Sequence, residues 1–162
     1  MLVNPWAFVV ATIIMLPIGF IWYNPKVFGT IWMREAGIIP DPAQKGNMLK
    51  IFALTLLFAF MANMLLQTIV VHQMGAMSLI GGAMKADSAK PSYTAFMADY
   101  ADAYRTFKHG ALHGCLTGIF LGLPIAGTSA LFEKKSWKYI LINSGYWVVC
   151  LTLMGGILCS WQ

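Results

Sequence analysis

The stretch HGALHGCLTGIFLGLPIAGTSALF, residues 109–132, decides the fold. It holds no Asp, Glu, Lys or Arg, and Leu112 to Phe132 alone supplies the ~20 apolar residues that a helix needs to cross a bilayer core. Gly110, Gly114, Gly118 and Gly122 recur through it at every fourth position. On a 3.6-residue helix this spacing draws one slowly drifting stripe of small residues. Lipid tails are as apolar as leucine, so membrane helices associate by close packing, and a glycine stripe lets a second backbone approach. The stripe is therefore expected to be a helix-packing face, against a helix of this chain or of another copy.

Three further stretches qualify as spans on the same grounds: Pro5 to Tyr23, Ile51 to Val71 and Tyr139 to Cys159. The expectation is an all-α integral membrane protein, one domain over residues 1–162, with four transmembrane helices in two hairpins. Composition agrees. The chain has 162 residues, 59% hydrophobic and 10% charged, against about 25% charged in a soluble domain. So little charge could not cover a water-facing surface. The formal net charge of +5 sits at the ends of apolar runs, which favours anionic headgroups of a lipid bilayer over nucleic acid. The first run has no Lys or Arg before Trp6 and no A-x-A-like site, so it reads as a membrane helix rather than a secretory signal. Trp6, Trp22, Tyr23, Trp137, Tyr139 and Trp161 fall at headgroup depth. Pro17 and Pro124 lie within spans, where each removes a backbone donor and kinks its helix.

Basic residues set the expected orientation. Lys26, Arg34, Lys45 and Lys50 occupy the first loop, and Lys134, Lys135 and Lys138 the third. The second loop holds Lys85, Lys90, Arg105 and Lys108. Seven against four places loops one and three in the cytoplasm, with both termini and the second loop outside. Within the second loop, Tyr93, Phe96, Met97, Tyr100, Tyr104 and Phe107 recur at helical spacing behind Pro91 and Ser92. This predicts an amphipathic helix over residues 92–107 that runs on into the third span. Met74 to Met84 is too short to span, and is either an interfacial loop or an extension of the second span.

Polar side chains inside the spans are few. Asn63 and Gln67 lie one turn apart in the second, and Asn143 in the fourth. Unpaired amides are costly in hydrocarbon, so all three are expected to face the bundle, as interhelical hydrogen bonds or as the lining of a polar path. Cys115, Cys150 and Cys159 form no CxxC pattern and read as small buried thiols. Asp99 and Asp102, with Arg105 and Lys108 nearby, read as a solvated face with surface ion pairs.

The histidines are the best raw material for chemistry. His72 ends the second span, while His109 and His113 begin the third, so all three belong to the second-loop side. His109 and His113 are one turn apart and can face one point, as metal ligands on a helix must. Met74 and Met77 follow His72, and thioether with imidazole suits Cu(I). Against this, histidine is at home at a membrane boundary, methionine is common packing material, and no metal-site motif is present.

Two groups of residues carry a resemblance. One is Gly19-Phe20-Ile21-Trp22-Tyr23-Asn24-Pro25 with Phe28-Gly29 and Trp32-Met33. The other is Leu131-Phe132-Glu133, Ile142-Asn143-Ser144-Gly145-Tyr146, Met154-Gly155-Gly156-Ile157-Leu158 and Trp161. In these the chain resembles a bacterial family of small multi-pass membrane proteins known as domain of unknown function 1761. The resemblance implies the bacterial cytoplasmic membrane and supplies no activity or cofactor. Three function classes follow, in order. They are a structural or accessory membrane subunit, a small transporter or channel formed by a homo-oligomer, and a metal- or haem-binding component. Walker, Rossmann, HExxH and nucleophile-elbow patterns are absent, and no span carries a carboxylate for a proton relay.

Overall fold

The computed structural model describes residues 3–39 and 46–162; Lys45, counted above with the first loop, lies outside them. Four helices are long and apolar enough to cross a membrane: α1 (Pro5–Trp22), α3 (Met48–Val70), α6 (Phe107–Phe132) and α7 (Trp137–Ser160). Shorter helices join them: α2 (Gly29–Ala36) in the first loop, and α4 (Gln73–Leu79) and α5 (Pro91–Tyr100) in the second. No strand occurs among the described residues.

Both prolines leave their mark. Pro17 cannot donate to the Ile13 carbonyl, and α1 breaks at Ile14 into Pro5–Ile13 and Met15–Trp22. The Tyr146 hydroxyl of α7 donates to Met15 O at 3.0 Å beside the break. In α6 the turn before Pro124 widens to a π-turn over Gly118–Gly122, with Leu123 N–H reaching back five residues to Gly118 O. One extra residue in the turn absorbs the missing donor without ending the helix.

The fourth span is the axis of the bundle. It packs against α1, α3 and α6, and Ile142, Tyr146, Cys150, Leu151, Met154, Leu158 and Cys159 on it are buried. The outer spans keep Phe20, Phe58, Leu65 and Phe120 more than half exposed, a surface suited to hydrocarbon. The tightest seam is α6 on α7. A Cβ added at Gly114 would strike the Leu151 carbonyl, and one at Gly110 the Gly155 carbonyl. At Gly118 it would lie 2.6 Å from Val148 Cα, but at Gly122 nothing is nearer than 3.9 Å. The π-turn therefore ends the close approach one turn before the glycine spacing ends. Gly155 on the facing helix is equally confined, since its Cβ would meet Gly110 O at 2.5 Å. In this structure Gly110, Gly114 and Gly118 face α7 of the same chain.

The loops differ from the sequence reading in two respects. The second-loop helix stops at Tyr100 instead of running to residue 107. Tyr104 then takes a left-handed φ of 61°, and Thr106 is extended and caps α6, its hydroxyl accepting from His109 N–H at 3.3 Å. A left-handed non-glycine residue cannot be continued as a right-handed helix, so the chain enters the third span afresh. Residues Met74 to Met84 form α4 and the start of a 3-10 turn at Ala83–Ser88, neither a plain loop nor an extension of α3.

Candidate metal centre

His72 sits between α3 and α4. The second span ends when Val71 turns extended, and His72 becomes the N-cap of α4. His109 and His113 lie on successive turns at the start of α6. The packing of α3 beside α6 brings the three imidazoles together, with ring centroids 4.9 Å apart for His72 and His109, 5.0 Å for His72 and His113, and 4.5 Å for His109 and His113. One nitrogen from each lies within 4.8 Å of the others, and Nε2 of His72 is 2.9 Å from Nε2 of His109. Nitrogens at ~2.0–2.1 Å from a tetrahedral ion would stand roughly 3.3 Å apart. The observed separations, 2.9 Å for the nearest pair and within 4.8 Å for the set, bracket that value. No carboxylate or thiol joins this group among the described residues.

The surroundings fix these rings by an unusual piece of backbone. Tyr104, the residue with the left-handed φ, stacks on His109 at 5.1 Å and 28° and presents an edge to His72 at 6.5 Å. Non-glycine residues hold that conformation at a cost, where surrounding contacts over-determine it. Here the contacts are explicit. Gln73, buried, donates through Nε2 to the carbonyls of Tyr100 at 2.8 Å and Ala103 at 2.9 Å. Arg105, also buried, donates through Nε to Cys159 O at the C-terminal end of α7, where a cation meets the negative end of the helix dipole. Cys159 Sγ donates to Val70 O at 3.2 Å and Tyr104 O at 3.4 Å. Gln73 Oε1 and Arg105 Nη2 are buried with no protein partner.

Sequence reasoning missed Tyr104, Gln73 and Arg105. Arg105 read as one half of a surface ion pair; instead it turns inward, and the ion pair among the described residues is Arg34–Glu35 at 2.8 Å. Met74 and Met77 do not complete the imidazole site. They line a separate cavity of about 510 Å³ with Met64 and Gln67, as their offsets of two and five residues from His72 require on a helix.

The intramembrane amides part company. Asn143 Oδ1 accepts from Tyr23 Oη at 3.1 Å and Trp32 Nε1 at 3.2 Å, while its Nδ2 donates to Tyr139 O at 2.9 Å. Asn63 is fully buried and donates to Thr12 Oγ1 at 3.0 Å, with its Oδ1 unpaired. Gln67 finds only Met64 O on its own helix, at 3.3 Å. Trp22 donates through Nε1 to Ile142 O at 3.0 Å, because a half-buried indole N–H must find an acceptor.

No curated protein and no solved structure matches the chain. A family model does match, over residues 6–159, a range that takes in all three histidines and all of the four spans but Pro5 and Ser160. The chain belongs to the family described as Protein of unknown function (DUF1761).

Proposed function

We propose that this protein is a membrane-embedded binder of a transition-metal ion, held by His72, His109 and His113 on the second-loop face of the bundle. One observation supports the reading: His72, just past the end of α3, and His109 and His113 on α6, 37 residues apart at the nearest, bring one ring nitrogen each within 4.8 Å of the others. Imidazole suits zinc, copper, iron and nickel. Three protein ligands with no fourth is the pattern of sites that keep a coordination position open. This moves the metal-binding class ahead of the accessory subunit and the oligomeric transporter, neither of which explains why a strained tyrosine is stacked on the cluster.

The test is retention of metal. Protein purified in mild detergent without chelators should carry one equivalent of ion per chain by elemental analysis, or take up one of Zn(II), Co(II) or Cu(I) after stripping. His109→Ala and His113→Ala should release it while the bundle stays folded. A parent protein that neither retains nor rebinds any of these ions would end the proposal.

Two further readings accompany it. The glycine stripe serves packing within the chain, supported by the Leu151 and Gly155 carbonyls that face it. The protein sits in a bacterial cytoplasmic membrane with both termini and the metal-binding face outside, supported by the excess of Lys and Arg in loops one and three. Reporter fusions at Gln162 and beside Lys135 check the orientation, and a cytoplasmic C-terminus would reverse it.

A further inference from the structure

Three neutral imidazoles leave a divalent ion with its full charge and with an incomplete shell. What could complete it is limited by the space beside His72. An open groove of about 440 Å³ lies between α4 and α5, lined by His72, the one imidazole of the three that borders it, together with Ala76, Leu79 and Ile80 on one side and Ser92, Tyr93 and Phe96 on the other. Apart from the histidine, its polar lining is two hydroxyl-bearing residues at the start of α5; the rest is aliphatic and aromatic. That is the usual make-up of a small-molecule site, an apolar body with a few orienting polar groups.

The outer surface of the same region is amphipathic, with large apolar and aromatic side chains beside the exposed Lys85, Asp87, Lys90, Asp99 and Asp102. Leu79 is 89% exposed, Met84 97% and Tyr104 69%. Side chains of this kind, uncovered beside the ends of four membrane spans, place the second-loop helices in the interfacial layer of the bilayer. A molecule arriving there has partitioned from the membrane surface and is itself amphipathic.

We infer that the metal keeps an open coordination position, and that the cavity between α4 and α5 holds its exogenous ligand: a small, mainly apolar molecule carrying one lone-pair donor. The inference rests on the metal-binding reading above. The donor atom takes the vacant position, the apolar body lies against Ala76, Leu79 and Phe96, and Ser92 and Tyr93 orient it.

Co(II)-loaded protein makes both halves measurable, because its visible d–d bands change when a ligand enters the shell. Azide probes the open position alone, whereas imidazole and 4-phenylimidazole differ only in the apolar body. In the parent all three should shift the bands saturably, with 4-phenylimidazole at least about tenfold tighter than imidazole, as burial of an aromatic ring implies. Ala76→Phe fills the cavity and should erase that advantage while leaving the azide response intact. Phe96→Ala removes the aromatic wall from the other helix and should reduce the same advantage without crowding the fold. One Co(II) per chain whose spectrum azide does not move means a closed shell, and overturns the inference. So does a phenyl advantage that survives in both variants. A parent that binds no Co(II) fails at the earlier step and counts against the metal-binding reading itself.

Discussion

The two ends of the bundle are built on opposite principles. At the end that carries loops one and three most polar groups are paired off, with the buried Ser144 Oγ the exception. Asn143 holds Tyr23 and Trp32, Trp22 reaches Ile142 O, Ser136 meets Glu35 at 2.6 Å, and Lys135 Nζ caps α2 through Ala36 O at 2.8 Å. At the second-loop end hydrogen-bonding capacity is left over. Gln73 Oε1 and Arg105 Nη2 have no protein partner, Tyr104 is held left-handed, and three imidazoles face one another. Closed networks rigidify, while unsatisfied buried groups cost free energy and persist where something else uses them. The comparison teaches where to look for chemistry in a chain without a catalytic motif: at the end that its own side chains do not satisfy.

The α6–α7 seam joins the two ends, and breaking it should produce the largest effect. Gly114→Ala drives a methyl into the Leu151 carbonyl, which cannot move without parting the helices. A loss of about 3 kcal/mol, at the upper range for overpacking, is expected in detergent unfolding. Gly122→Ala, with nothing nearer than 3.9 Å, should stay within about 1 kcal/mol of the parent. Equal costs at the two positions would mean that the close crossing is not where the geometry puts it. The same seam lies within one chain, so Gly118→Leu should harm the folded monomer; a folded monomer with altered oligomer size would favour an interface between copies.

Next comes the open end. His113→Ala should weaken metal binding by at least about 100-fold, beyond the loss from deleting a group that only hydrogen-bonds to a ligand. Its effect on unfolding of the stripped protein should be small, because His113 is only partly buried. The contrast at the closed end is Asn143→Leu. It strips the acceptor from Tyr23 and Trp32 together, and should cost about 1–3 kcal/mol in stability while leaving metal affinity unchanged. If Asn143→Leu instead abolished metal binding, the ends would be coupled and the contrast between them would fall.

How much of this was legible beforehand differs by feature. The four spans were, because apolar length is written directly in the sequence and tertiary context cannot override it in a bilayer. The glycine spacing drew attention to Gly110, Gly114 and Gly118 but not to whether their neighbour lay in the same chain, which depends on how α6 and α7 pack. It also included Gly122, which still faces α7 but more loosely, with Trp147 Cβ at 3.9 Å. For the histidines, span order put all three at one end, yet only the lateral packing of α3 beside α6 makes them meet. Aromatic periodicity carried the loop helix through Tyr104, although Thr106 was readable as an N-cap that restarts the chain. Nothing in composition or spacing distinguished Gln73 from any other loop glutamine.

The smallest expected effect lies in the closed end and is read by pH. Glu35 accepts from the Ser136 hydroxyl through Oε2, and from Arg34 through Oε1. The Ser136 hydrogen bond first, and Arg34 after it, hold its pKa below the ordinary carboxylate value. A carboxylate whose pKa is depressed in the folded state contributes stability above its unfolded pKa, about 4.3 for glutamate, and loses it as pH falls through the lower, folded value. The latch is present at neutral pH and lost in acid. Ser136 also accepts from Tyr139 N–H at 3.2 Å as the N-cap of α7, so protonating Glu35 loosens α2 from the axis helix without removing the cap. Thermal midpoints of the parent and of Glu35→Gln, followed from neutral pH down to about pH 3, separate this latch from the other five acidic residues, which both proteins share. The parent should be slightly the more stable near neutrality, with the difference vanishing at the acid limit. A difference that is constant across the range would mean that Glu35 acts by packing alone, and that Ser136 and Lys135 hold the closed end without its charge.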